Sequence, residues 1–183
     1  MNILMKLKGY KKCRLWINEI IDDRGAEVEK TIEKSLSAGN KKYGDKLKLA
    51  IELAFPKNNS NYAFIGFEYV PDELNKDITS VIVCLNNKSI CYSKETLAKP
   101  NDKVFKGISE EYGNTILDTA IETINEMNCF SSGKIIFNIG AYAECGSSKA
   151  IFAQATKILL NISQLELMSM SDLVIQEKIE SML

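Results

Sequence analysis

The sequence contains no histidine, three prolines and ten glycines. The absence of histidine excludes Ser–His–Asp and Cys–His nucleophile systems, HExxH zinc sites and every histidine-ligated metal. Hydrophobic residues make up 45% of the chain and charged residues 26%, which is typical of a globular protein and excludes a fibrous or disordered one. A length of 183 residues fits one domain, or one domain with an added subdomain.

None of the five cysteines belongs to a C-x-x-C pair; they are Cys13, Cys84, Cys91, Cys129 and Cys145. A zinc site made only of cysteines needs four ligands in closely spaced pairs, so no metal site is expected. No sequence motif indicates a cofactor. An odd number of unpaired cysteines is typical of reduced thiols. We therefore expect a cytoplasmic protein in which most of these side chains pack as small hydrophobic groups.

Long apolar runs are also missing. None approaches the roughly 18 residues that a membrane-spanning helix requires, so no membrane partner is expected. The opening MNILMKLKGY alternates apolar residues with lysines. It therefore lacks the apolar core of a signal peptide.

The net charge of −1 hides an asymmetry, because residues 1–50 are basic and the remainder is acidic. A basic patch is predicted from Lys8, Lys11, Lys12 and Arg14, which lie in an opening stretch without acidic residues. Such a patch suits phosphates or an acidic protein surface. The alternative is an edge strand whose lysines block unwanted pairing. The acidic remainder argues against DNA as a partner.

Period-two alternation predicts strands over NILMKLKGY, 46–55 and 62–70, and the last two form a hairpin around the turn PKNNSN. A second hairpin is predicted from 77–84 and 89–92, with short strands at 103–106 and 134–139. CRLWINEII fits a strand or a helix equally. Helices are predicted over 26–37, where Val28, Ile32 and Leu36 recur at spacing four, and after Ser109, Ser147 and Ser171.

This order of elements predicts an α+β fold, with a four- to six-stranded, mostly antiparallel sheet and helices packed on one face. We expect an N-terminal extension of a strand plus a helix (1–45), a core (46–163) and a C-terminal helix (164–183).

The one glycine-rich stretch is GAYAECGSSKA, residues 140–150. Backbone N–H groups at the start of the following helix suit an anion. The lysine of a phosphate loop is missing from its place. CGSSKA is similar to the GLGSSA segment of the small-molecule kinases that include galactokinase and homoserine kinase, which implies nucleotide binding. The alternative is an N-cap serine with a turn glycine.

Three segments in order resemble domain IV of elongation factor G, over residues 47–162. The family form G-S-Y-H-x-V-D-S-S-x-x-A-F is matched by Gly140, Tyr142, Ser147, Ser148 and Phe152. The family form K-I-V-G-G-x-I-P-K-E-Y is similar to KVFKGISEEY, residues 103–112. The family strand that begins Q-Y-G-H-V and ends in E-P is similar to NYAFIGFEYVP, residues 61–71.

The resemblance implies a four-stranded sheet backed by two helices with a left-handed crossover, as in a ribosomal small-subunit protein. It also implies that loops 56–61 and 140–147 form a tip that meets a partner. The tip residues are Lys57, Asn58, Asn59, Asn61, Tyr142, Glu144 and Ser147. Ala143 and Gly146 replace the family histidine and aspartate, and an RNA-contacting tip needs cations or stacking groups.

Three functions follow from these features. The first is a non-catalytic protein-binding module that neutralises its partner, like an immunity protein or antitoxin of a mobile bacterial gene. The second is a ribosome- or RNA-associated translation accessory factor. The third is a nucleotide binder of the small-molecule kinase type. The missing catalytic chemistry favours the first, so no enzyme is expected.

Overall fold

The structure, a computed structural model, describes residues 1–19, 27–39, 46–59, 61–72, 74, 77–88, 90–92, 95–128 and 130–183. Three helices pack on one mixed sheet, which confirms the α+β class. The described residues form eight strands rather than the four to six predicted. They are β1 (Asn2–Lys6), β2 (Lys12–Ile17), β3 (Lys30–Ser37), β4 (Leu47–Ala54), β5 (Tyr62–Pro71), β6 (Ile78–Leu85), β7 (Val104–Lys106) and β8 (Gly133–Ala143).

The sheet has the strand order β1-β2-β4-β5-β8-β6-β3, and β7 pairs with the end of β8. Six of the seven strand pairs are antiparallel, and β6 runs parallel to β8. The predicted β4–β5 hairpin is confirmed. Residues 13–17 of CRLWINEII belong to strand β2, and Ile20 and Ile21 lie outside the described residues. The described part of the predicted N-terminal extension therefore adds strands to both edges of the same sheet.

The helices are α1 (Glu110–Met127), α2 (Lys149–Ile162) and α3 (Asp172–Glu180), as the sequence predicts. Helix α1 lies against β3 and β6, and α2 lies against β4 and β5. Their buried residues join those of the sheet in one core. Tyr112 of α1 stacks on Phe152 of α2 with ring centroids 4.5 Å apart, which fixes the two helices side by side on one face.

A β-bulge in β8 changes which face its side chains reach. Gly66 opposes Ile139 and Phe67 opposes Phe137, so Asn138 has no partner on β5. One extra residue reverses the alternation of a strand. Phe137 therefore packs under the helices, whereas Ile139 joins a second core on the opposite face.

This second core lies under residues 90–92 and 95–104, which we call the cover segment. Its ring contacts include Tyr92 against Phe64, with centroids 6.3 Å apart. Val104 and Ala98 pack there as well. The sheet is thus covered on both faces near the ends of β4, β5 and β8.

The predicted helix at 26–37 is wrong, because residues 30–37 form strand β3. Val28, Ile32 and Leu36 are spaced by four, which is also a multiple of the strand period of two. Ile32 and Leu36 therefore share one face of β3 and pack at the edge of the core. Ala26, the first residue of the predicted helix, lies outside the described residues.

The predicted hairpin of 77–84 with 89–92 is also wrong. Strand β6 pairs with β3 and β8 instead. The described part of 89–92 contributes only a single bridge from Cys91 to Phe105. The alternating burial of β6 is equally compatible with any neighbour, so the local pattern did not specify the partner. Ser89 lies outside the described residues.

Two of the helix starts show how caps are supplied. Ser148 caps α2, because its hydroxyl accepts the N–H of Ile151 at 3.4 Å. Ser109 occupies the corresponding position of α1 but makes no side-chain cap bond, and its hydroxyl is buried without a partner. The Asn87 side chain accepts the N–H of Glu110 at 2.9 Å instead.

Candidate functional site

The two predicted tip loops meet at one end of the sheet. The backbone N–H groups of Asn61 and Tyr62 donate to the Gly146 carbonyl oxygen, at 2.7 and 3.1 Å. The Ser147 hydroxyl donates to the Tyr62 carbonyl at 2.7 Å and accepts the Ala143 N–H at 2.8 Å. The turn after β4 and the turn after β8 are therefore tied into one unit.

The cover segment supplies a third part of this site. The Asp102 carboxylate accepts the N–H of Cys145 at 2.9 Å. Lys99 Nζ donates to the Asn58 carbonyl at 3.4 Å. The three segments surround an open hollow of about 380 Å³, lined by Asn59, Asn61, Lys99, Asn101, Asp102, Cys145 and Gly146. We call these residues, together with Lys57, Asn58, Glu144 and Ser147, the tip cluster.

Burial divides the predicted tip residues into two groups. Lys57, Asn58, Asn59 and Glu144 are exposed. Asn61 is only 4% exposed, and its amide donates to the carbonyl oxygens of Asn58 and Asn59 at 3.1 and 2.8 Å. The exposed side chains are thus placed to meet a partner, whereas Asn61 holds the turn that presents them.

Gly146 is required by close packing. A Cβ atom at this position would lie 2.6 Å from Asn61 Oδ1 and 2.7 Å from Asp102 Oδ2. No side chain fits there unless both neighbours move. Gly146 therefore allows the three segments to approach each other.

Two lysines of the tip cluster interact with the protein itself. Lys57 Nζ lies 4.0 Å from the ring centroid of Tyr10, and Lys99 is bound to Asn58 as described above. Asp102 and Glu144 add two carboxylates to the same surface. The tip cluster is therefore rich in amides and mixed in charge.

Tyr142 lies outside the tip cluster. Strand β8 continues to Ala143, so residues 140–143 are not part of a loop as predicted. The Tyr142 ring packs between Phe105 and Tyr112, with centroids 5.6 Å from each. The bulge at Asn138 turns this side chain toward α1, and this explains why the expected tip aromatic packs inside the fold.

The predicted basic patch divides into two pairs. Lys8 and Lys11 line a hollow of about 250 Å³ beside α3, where Lys8 forms an ion pair with Glu180 at 3.2 Å. Lys12 and Arg14 lie on the opposite side of the sheet, because alternate residues of β2 share a face. The four cations therefore do not form one continuous surface.

Arg14 contacts a buried carboxylate that the sequence prediction missed. Glu52 is 2% exposed, and its Oε1 accepts the Tyr62 hydroxyl at 3.0 Å and the Leu97 N–H at 2.7 Å. Its Oε2 lacks a hydrogen-bond partner and lies 3.7 Å from Arg14, which also pairs with Glu95 at 3.5 Å. The available signal was a lone acidic residue within the apolar strand LAIELAF.

Burial raises the pKa of the Glu52 carboxyl, and the hydrogen bonds from Leu97 and Tyr62 only partly offset that rise. Burial and the adjacent Glu52 also raise the pKa of Tyr62 well above its ordinary value. This polar group fastens the cover segment to the sheet, because Leu97 and Glu95 belong to the segment while Glu52 and Arg14 belong to β4 and β2. Glu52 and Tyr62 are buried, whereas Glu95 is exposed at the outer end of this group.

The glycine-rich stretch 140–150 forms the end of β8, a turn and the start of α2. The hydroxyls of Ser147 and Ser148 are bound within the protein, as an N-cap serine and a turn require. Nucleotide binding stays a prediction, which a titration with ATP and magnesium tests.

Among the described residues, no group of three or more Cys, Asp or Glu side chains is placed to hold a metal ion. Cys129 lies outside them. No helix in this part of the chain combines the length and the apolar character needed to cross a bilayer.

Comparison of the chain with protein-family models, with curated proteins and with solved structures found no match.

Proposed function

We propose that this chain is a non-catalytic protein-binding module that neutralises its partner stoichiometrically, as an immunity protein or antitoxin does. The observation that supports this function is the tip cluster, where loops far apart in sequence are hydrogen-bonded into one exposed surface. Asn61 and Gly146 fix the shape of that surface before a partner arrives. A preorganised surface loses little conformational entropy on binding.

The chemistry of the tip cluster favours a protein over a nucleic acid. Binding to a phosphate backbone depends on cations that replace counterions. Here Lys57 lies on Tyr10 and Lys99 is bound to Asn58, while Asp102 and Glu144 repel phosphate. Exposed amides with mixed charge suit the hydrogen-bonded rim of a protein interface.

A second candidate is a ribosome- or RNA-associated accessory factor on a fold like domain IV of elongation factor G. The observation that favours it is the meeting of turns 56–59 and 144–147 at one end of the sheet, which is the arrangement that the resemblance implies. Fold resemblance alone is an indirect argument for function. The protein-binding module is therefore ranked first.

We place this function in the cytoplasm. The four described cysteines, Cys13, Cys84, Cys91 and Cys145, are all free thiols. Two of them, Cys91 and Cys145, are exposed. Exposed free thiols suit a reducing compartment.

The test is recovery of a partner from host lysate by three tagged forms of the chain. The tip variant carries Asn59→Arg and Glu144→Arg, two exposed positions whose side chains make no hydrogen bond or ion pair within the described residues. The control carries Asn2→Arg and Glu177→Arg, the same substitutions on exposed residues of β1 and α3. Mass spectrometry compares what each form recovers at low and moderate salt.

We expect the wild type and the control to recover one protein in near-equal amount, and the tip variant to recover at least about tenfold less of it, because two arginines change the charge and shape of the contact surface. Equal recovery of the partner by all three forms would show that the tip cluster is not the binding surface. Recovery of ribosomal proteins and RNA that dissociate as salt rises would support the second candidate instead.

A further inference from the structure

We propose that the outer edge of β3, together with the acidic side of α1, binds an extended segment of a partner protein that is rich in Lys and Arg and adds to the sheet as a further strand. No residue of the tip cluster belongs to this surface. Binding at the β3 edge can therefore be tested independently of binding at the tip cluster.

The first observation concerns the backbone of β3. The Ala38 N–H donates to the Asp77 carbonyl at 2.9 Å, and hydrogen-bonded pairs alternate along an antiparallel ladder. The even-numbered residues of β3 therefore bond to β6. The odd-numbered residues Thr31, Glu33, Ser35 and Ser37 direct their N–H and C=O groups away from the sheet.

Within the described residues, no strand pairs with this outer edge. Six of the eight residues of β3 are exposed. The opposite edge strand differs, because α3 closes part of it. There Gln176 Nε2 donates to the Lys6 carbonyl at 3.0 Å, and Glu180 accepts the Lys8 N–H at 3.2 Å. An open edge of eight residues is a template for strand addition.

The lysines that usually protect an edge strand are directed elsewhere. Lys30 Nζ lies 2.8 Å from Glu110, and Lys34 Nζ lies 2.6 Å from Asp118. Both side chains therefore lie along α1 rather than across the free edge. The exposed odd-numbered side chains are small or acidic, namely Thr31, Glu33, Ser35 and Ser37.

The charge of the surface specifies the chemistry of the occupant. Helix α1 contains no lysine or arginine and carries Glu110, Glu111, Asp118, Glu122 and Glu126. Together β3 and α1 hold six carboxylates and two lysines. Glu111, Asp118 and Glu122 are spaced by seven and four residues, about two turns and one turn of the helix, and all three are exposed. A strand added beside β3 passes this row, so basic side chains on it meet opposite charge.

Side chains of an extended strand alternate between its two faces. Basic residues of the added strand therefore lie on the helix face, beside the acidic row of α1, and the residues between them lie on the opposite face, beside Thr31, Ser35 and Ser37. β-Branched apolar residues are favoured at these intervening positions, because they have a high β-propensity. The proposed occupant therefore alternates basic and apolar residues.

The test uses two labelled peptides with blocked ends, Lys-Val-Lys-Val-Lys-Val-Lys and its counterpart with Glu in place of Lys, titrated against the full chain. Amide hydrogen exchange maps the contact on the wild type. Glu33→Pro removes one outward N–H and leaves the β3–β6 ladder intact. Glu33→Thr changes the same side chain and keeps the N–H, so it is the matched control.

The proposal predicts binding of the basic peptide and slowed exchange at Thr31, Glu33, Ser35 and Ser37. It further predicts at least a tenfold loss of affinity in Glu33→Pro, less than threefold in Glu33→Thr, and a weaker salt dependence in the double variant Glu111→Gln with Glu122→Gln. Absence of binding, equal binding of the acidic peptide, or protection of residues other than the β3 edge would overturn it. The exchange map gives this answer on the wild type, whether or not Glu33→Pro folds.

Discussion

Glu52 has an unusual environment for a glutamate, because it lies within an apolar strand and is only 2% exposed. A carboxylate that is almost fully buried is costly unless all its oxygen atoms are satisfied, and here Oε2 has no hydrogen bond. Burial raises the pKa of this group, so the folded chain holds its proton more tightly than the unfolded chain does. Its contribution to stability is full below the ordinary glutamate pKa and is lost as pH rises through the raised value.

We predict that Glu52→Gln removes this pH dependence. Glutamine keeps an oxygen that accepts the Leu97 N–H and the Tyr62 hydroxyl, but it does not titrate. The free energy of unfolding of the wild type should fall relative to that of the variant as pH rises above the ordinary glutamate value of about 4.3, and the difference should then become constant. Urea unfolding of both proteins at several pH values measures it. A difference that does not change with pH would contradict this account of Glu52.

The role of Tyr142 shows what residue types alone left undecided. The sequence permitted either a tip contact or a packing residue. The outcome depended on the bulge at Asn138, and only pairing between β5 and β8 reveals a bulge. By contrast, the exposure of Lys57, Asn58 and Asn59 followed directly from the turn composition of PKNNSN.

At the scale of elements, local signals predicted the β4–β5 hairpin and all three helices, because each has a strong period and clear ends. Strand β3 was missed because a spacing of four residues fits both the helix period of about 3.6 and the strand period of two. The partners of β6 were missed because its pairing with β3 joins residues at least 41 positions apart, from Ser37 with Ile78 onward, and a short sequence window contains no signal of such pairing. Caps show the same limit, since the side chain that caps α1 comes from Asn87, well before the helix.

The cap can be tested by two single substitutions. Asn87→Ala should lower the free energy of unfolding by about 1 kcal/mol, because the Glu110 N–H loses its acceptor. Ser109→Ala should cost nothing or increase stability slightly, because the hydroxyl of Ser109 is buried without a partner. Chemical denaturation of the two variants decides the matter. A larger loss of unfolding free energy in Ser109→Ala than in Asn87→Ala would show that Ser109 caps the helix, as the sequence predicted.

The bulge in β8 can be tested by deleting Asn138. Deletion removes only the unpaired residue: Phe137 still opposes Phe67 and Ile139 still opposes Gly66, so the side chains of β8 keep their faces and we expect a loss of less than about 1 kcal/mol. Asn138→Ser keeps the extra residue at an exposed position and should change stability by less than about 0.5 kcal/mol. Thermal unfolding compares the two variants with the wild type. A midpoint for the deletion far below that of the substitution would show that Asn138 is not simply an unpaired extra residue.

At the scale of the whole molecule, one sheet carries two distinct surfaces. The tip cluster is amide-rich, mixed in charge and preorganised by Asn61 and Gly146. The β3 edge offers open backbone groups beside an acidic helix. The sequence predicted most of the exposed tip residues through a resemblance, but it did not predict Lys99 and Asp102, because the cover segment reaches the tip only in three dimensions.

The central claim is that the tip cluster is the surface on which a protein partner binds. Amide hydrogen exchange on the free chain and on the complex recovered from host lysate tests it most directly. We expect slowed exchange in residues 57–59 and 144–146 when the partner is bound. Unchanged exchange in both turns, with a partner present in near-equal amount, would contradict it.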